Sequence, residues 1–126
     1  FTPGSHGSTF AGNPLGAAAG LATLDVIEDE NLVANAEARG EQLRDGIMAT
    51  GNPLFVSVRG RGLLDAVELK HPCSHAVMNY CLEHGLIVNA VAPNALRFAP
   101  PLIVTAQDVD QALAILKDVP TDLPDD

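Results

Sequence analysis

The sequence predicts an α+β domain in which helices layer on a small, mostly antiparallel sheet. Three observations carry that prediction. Two long stretches with helical character come first; short apolar runs closed by glycine and proline fill the middle of the chain; one more helical pattern follows the last of them. At 126 residues and 47% apolar content, the chain is large enough for one domain with a core of its own.

Taken in order, Asn13 caps and Pro14 opens a helix over 14–27, so rich in alanine and leucine that it is predicted to be buried on most faces. The acidic run Glu28-Asp29-Glu30 ends it. From Asn31, residues Leu32, Ala36, Leu43 and Ile47 recur at helical spacing between charged positions, which describes an amphipathic helix to about Thr50. Gly51-Asn52-Pro53 stops that helix. Residues 54–58 read as a strand, Arg59-Gly60-Arg61-Gly62 as a tight connection, and 63–69 as the hairpin partner. Residues 74–84 place Val77, Met78, Cys81 and Leu82 on one helical face, and Gly85 stops this helix before a short strand over 86–89. Another short strand covers 94–98 and is halted by Pro100-Pro101. Thr105, with Asp108 three residues on, has the form of a capping box, and Val109, Ala112, Leu113 and Leu116 supply the apolar face of a last helix. Residues 120–126 hold two prolines and three aspartates and are predicted to fray. The order is two leading helices followed by ββαββα.

Sixteen acidic side chains against seven Lys and Arg give a net charge of −9, a surface that repels nucleic acid and anionic membrane and excludes both as partners. The apolar run from Leu15 to Ile27 is too short and too interrupted to span a bilayer, and no basic-then-apolar signal opens the chain. Two cysteines make no disulfide framework, in keeping with a reducing, cytoplasmic setting. A first residue other than Met, in a loop, points to a piece of a longer protein.

Two places carry candidate chemistry. In Gly4-Ser-His-Gly-Ser-Thr9 the glycines permit close backbone approach, Ser5, Ser8 and Thr9 add hydroxyl donors, and a helix N-terminus follows, a combination suited to phosphate or another anion. The lysine of a Walker loop and the Gly-x-Ser-x-Gly elbow are both absent, and a plain glycine-rich linker satisfies the same pattern. Arg97 is the second place. A guanidinium between Leu96 and Phe98 needs a partner, and its planar fork suits a carboxylate. That carboxylate belongs to a ligand or to one of the chain's own acids, unless Arg97 lies on the exposed face of an edge strand. The set His71, Cys73, His75, Cys81 and His84 matches no standard zinc spacing, so Cys81 is assigned to the core and the histidines to the surface at a helix start. A single Arg-Gly-Arg-Gly in an acidic chain is a turn rather than an RNA-binding repeat.

The stretch PGSHGSTFAGNPLGAAAGLATLDVI resembles the HGST-containing segment and following alanine-rich helix of class III (ornithine-type) aminotransferases. VRGRGLLDAVEL, HGLIVNAVAPNALRFAPPLIVT and the last amphipathic helix are similar to the rest of that family's C-terminal portion. The resemblance implies a fold type I pyridoxal phosphate enzyme acting on amino-acid and 2-oxo-acid substrates, a homodimer with active sites at the subunit interface. It implies that Thr9, with Ser8 beside it, hydrogen-bonds the phosphate of the partner subunit's cofactor, and that Arg97 holds the substrate α-carboxylate. It divides the chain into a large-domain and interface segment over 1–30, a small domain over 31–119 and an acidic tail over 120–126. The family's cofactor-bearing lysine, its acid for the pyridine nitrogen and its ring-stacking aromatic all lie upstream of HGST, and neither Lys70 nor Lys117 matches that lysine. The chain alone is therefore expected to be inactive. Ala11 stands where the family usually has glycine.

Overall fold

The computed structural model describes residues 2–126, which form two compact units, the first ending at Leu32 and the second covering Val33–Asp126. In the first, Asn13 in extended conformation accepts a hydrogen bond from the Gly16 amide, and Pro14 starts helix α1, Pro14–Asp29. Glu30 and a left-handed Asn31 (φ 51°) close it. No residue of α1 is buried, and Leu15, Leu21 and Leu24 keep 82%, 65% and 59% of their surface. The expected burial is thus corrected for this chain: among its described residues the first unit contains no second helix or strand to cover α1.

The second unit carries the core. Helix α2 (Leu32–Ala49) precedes strands β1 (Phe55–Arg61) and β2 (Leu64–Leu69), helix α3 (Ser74–Glu83), strands β3 (Asn89–Ala92) and β4 (Ala95–Phe98), and helix α4 (Ala106–Lys117). The four strands pair antiparallel throughout in the order β1-β2-β4-β3, so β2 and β4 are inner strands. Leu43 and Ile47 of α2, Val67 and Leu69 of β2, Val77 and Cys81 of α3, Leu96 and Phe98 of β4, and Val109 and Leu116 of α4 meet on one face of the sheet. The capping box forms as expected: Thr105 Oγ1 accepts from the Asp108 amide while the Asp108 carboxylate accepts from the Thr105 amide. Donation to that carboxylate from the Thr105 hydroxyl, and then from the Thr105 amide, holds the Asp108 carboxyl below its ordinary range.

Three elements differ from expectation. β1 runs through Arg59-Gly60-Arg61, paired to Ala66, Asp65 and Leu64, and leaves a two-residue turn at Gly62-Leu63. Gly60 makes that extension possible, because a Cβ there would stand 2.0 Å from Asp65 Oδ1. Asp65 is buried on the core side, where it pairs with Arg44 of α2 at 2.8 Å. In α3 the buried positions are Ser74, Val77 and Cys81, while Leu82 is 58% exposed, because the i, i+3, i+7 row and not its neighbour faces the sheet. The strand expected over 86–89 starts instead at Asn89, since pairing is set by the Pro93-Asn94 turn and not by where the apolar run begins.

The segment after α4 turns back to the start of α3. Leu123 packs at the edge of the core, His71 Nδ1 meets Asp125 at 2.7 Å, and the Asp126 carboxylate accepts from Ser74 Oγ and the His75 amide. Among the described residues no helix is long and apolar enough to cross a membrane.

Candidate active site

Arg97 sits on the outward face of inner strand β4, between Leu96 and Phe98, which point into the core. Its cross-strand neighbours are Ala66 on β2 and Asn89 on β3. Nη2 of Arg97 donates to Asn89 Oδ1 at 3.2 Å, and among the described residues no carboxylate lies within ion-pair distance of it. The internal ion pair and the edge-strand position, two of the alternatives open from sequence, do not occur. The guanidinium borders a cleft of about 380 Å³ whose other walls include Leu86, Ile87, Pro100, Pro101 and Val104. It also borders a wider depression on the outward face of the sheet, with Arg59, Leu64, Ala66 and Val91. Chemically this is an exposed cation beside apolar walls, without an acid at ion-pair distance among the described residues, an arrangement with the chemistry to receive a carboxylate attached to an aliphatic chain.

Neighbouring acids are committed elsewhere. Asp108 lines the cleft but accepts from Thr105, Glu68 on β2 accepts from Ser57 Oγ at 2.9 Å, and Asp65 is turned to Arg44. Asn89 was not singled out by the sequence, and its place depends on a bulge. From Ala92↔Ala95 the register shifts by one residue, so that Ala90 faces Leu96 and Asn89 faces Arg97; an unshifted ladder would set Ala90 opposite Arg97.

Ser8 and Thr9 lie in the first unit, in a loop of turns ahead of α1. Gly4 and Gly12 take the left-handed region (φ 82° and 69°) and Gly7 does not, so Gly12, next to Ala11, supplies the unusual backbone angle. Ser8 Oγ accepts from the Phe10 amide at 3.3 Å, while the Thr9 hydroxyl has no hydrogen bond among the described residues. Both O–H groups therefore remain as donors, a set that fits the phosphate end of pyridoxal phosphate. Lys70 follows β2 and Lys117 ends α4, both exposed.

The two cysteines lie in the core. Burial pushes the Cys81 thiol up to about 11, and burial with Asp126 and Asp125 nearby raises that of Cys73. Both are free cysteines.

A family model for class-III aminotransferases matches residues 1–119. Acetylornithine aminotransferase of Gloeobacter violaceus is 45% identical over 127 residues, covering 98% of this chain and 32% of its own length. Ornithine aminotransferase of Staphylococcus carnosus is 46% identical over 122 residues, covering 94% of the chain and 30% of that protein. Among solved structures, acetylornithine aminotransferase from Elizabethkingia anophelis superposes with a TM-score of 0.79 at 39% identity, covering 93% of this chain and 32% of that one. The chain thus spans under a third of the length of these relatives.

Proposed function

Because the chain belongs to the class III aminotransferases, we propose that it is the C-terminal part of an enzyme moving the terminal amino group of N2-acetylornithine to 2-oxoglutarate, giving N-acetylglutamate semialdehyde and glutamate. That reaction belongs to arginine biosynthesis, and we assign it to the cytoplasm and to a homodimer. What carries the reading is Arg97, an exposed residue that lines an apolar cleft and has no acid within ion-pair distance among the described residues. It binds and orients the substrate α-carboxylate through bidentate donation.

Class III aminotransferases use pyridoxal phosphate, which supplies the electron sink for amino-group transfer when bound. In this chain Thr9, with Ser8, would hold the phosphate of the partner subunit's cofactor by O–H donation, and α1 follows with its positive end near that loop. No lysine here takes the cofactor-bearing role, so catalysis requires residues outside these 126 and the chain alone is inactive. A second reading, transfer from ornithine itself, is favoured by a relative of similar identity, that of Staphylococcus carnosus, which carries the name ornithine aminotransferase.

The test is Arg97→Ala in the full-length enzyme. It raises KM for the amino donor and removes about 2–4 kcal/mol of transition-state stabilisation in kcat/KM. Unchanged kinetics refute the assignment, and competition between N2-acetylornithine and ornithine as donors separates the two readings.

A further inference from the structure

We propose that Asn89 is a positioning residue for Arg97: its amide oxygen fixes the guanidinium while leaving its charge unspent for the ligand carboxylate. The inference rests on Arg97 being the carboxylate site and goes one step further out. Three observations carry it. Asn89 Oδ1 accepts from Arg97 Nη2 at 3.2 Å and is that side chain's one hydrogen-bond partner among the described residues. The pairing exists because of the bulge between Ala90 and Ala92, which replaces the methyl of Ala90 by the amide of Asn89 opposite Arg97. The residue so placed is neutral, although the chain carries 16 acidic side chains and an arginine's directly opposed cross-strand position is where an acid is most favourable.

The chemistry explains the choice of amide. A flexible guanidinium on an exposed strand face samples several rotamers, and binding a carboxylate to one of them costs the entropy of the rest. A single acceptor on the rigid neighbouring strand removes part of that cost. Guanidinium has five N–H donors in a planar fork, so one bond to Asn89 leaves a full edge for bidentate binding. An aspartate at the same position would orient Arg97 equally well. It would also neutralise the guanidinium and compete with the ligand for it.

The experiment measures binding of glutarate, a five-carbon dicarboxylate that cannot be transaminated, to the full-length holoenzyme by calorimetry, alongside KM and kcat for the amino donor. Asn89→Ala is expected to weaken glutarate about five- to tenfold, the value of one hydrogen bond. Asn89→Asp, which is isosteric, is expected to weaken it more than Asn89→Ala, with KM rising more than kcat falls. In an Arg97→Ala background the Asn89→Ala change is expected to have no further effect. If Arg97→Ala itself leaves glutarate binding unchanged, the carboxylate assignment falls and this inference with it. If Arg97→Ala weakens binding but Asn89→Ala and Asn89→Asp match the wild type, only the role of Asn89 is overturned. An Asn89→Ala loss of equal size with and without Arg97 also overturns it, because that is the signature of a structural residue. Should Asn89→Ala fail to fold, Asn89→Asp against the wild type decides alone.

Discussion

Helices α1 and α4 are both properly capped, by Asn13 and Thr105, yet the more apolar of the two buries nothing while the more polar one holds up the core. In α4 the apolar residues form a single stripe, with Val109 and Leu116 buried and charged or amide side chains opposite. In α1 alanines, glycines and leucines lie all round, and the unit it belongs to has no second element to receive any face. Apolar content measures how much a segment gains from burial. Burial itself needs a second element to cover that surface, and a stripe that leaves the opposite face to water; α4 has both.

The contrast extends to glycine. Gly40 of α2 lies so close to the β1–β2 turn that a Cβ would stand 1.7 Å from the Gly62 carbonyl oxygen, whereas a Cβ on Gly20 of α1 meets nothing within 4 Å. Gly40→Val is expected to destabilise the second unit by about 3 kcal/mol or more in urea unfolding. Gly20→Ala is expected to act in the opposite direction, raising α1 helicity by circular dichroism with a gain of at most about 1 kcal/mol. An equal response at the two glycines would erase the distinction drawn between the helices.

Leucines sharpen it further. Leu96→Ala removes a fully buried side chain and is expected to cost about 2–4 kcal/mol, read as a lower denaturation midpoint. Leu21→Ala, at 65% exposure, is expected to change stability by less than about 0.5 kcal/mol. The last contrast concerns acid. Partial desolvation pushes the Asp126 carboxyl up, but donation from His75, Ser74 and Ala76 outweighs it and brings it down to about 2. A carboxyl depressed in the folded state stabilises above its ordinary value of about 3.9 and loses that contribution as pH falls toward 2. Asp126→Asn is therefore expected to flatten the acid limb of the stability profile between those values, while the limb above pH 5 keeps its shape.

What could be read from sequence was local. The Thr105–Asp108 box, the Asn13-Pro14 start and the glycine stops at 51 and 85 depend on residues within a few positions, and they appear where expected. The order of elements followed from periodicity for the same reason. What could not be read depends on partners far along the chain. The start of β3 and the pairing of Asn89 with Arg97 are fixed by a bulge, the Asp65–Arg44 pair joins α2 to the hairpin, and the segment after α4 meets α3 across some 50 positions of sequence. Asn52 is similar. Its side chain donates to the Val119 carbonyl and accepts from the Leu54 amide, which makes a stop signal also a buried bracket. In the candidate site, Arg97 stood out as a charge in an apolar strand, whereas nothing local marked Asn89.

The position of Arg97 in the sheet bears on how such a site changes over evolution. β4 is laddered on both sides, to β2 and to β3, so the Cα of Arg97 cannot shift without breaking pairings in two directions at once. With the carboxylate role proposed for it, the arginine would be a fixed datum from which a ligand is measured. A protein built on this frame that comes to accept a longer or shorter ligand must do so by moving what lies at the ligand's other end.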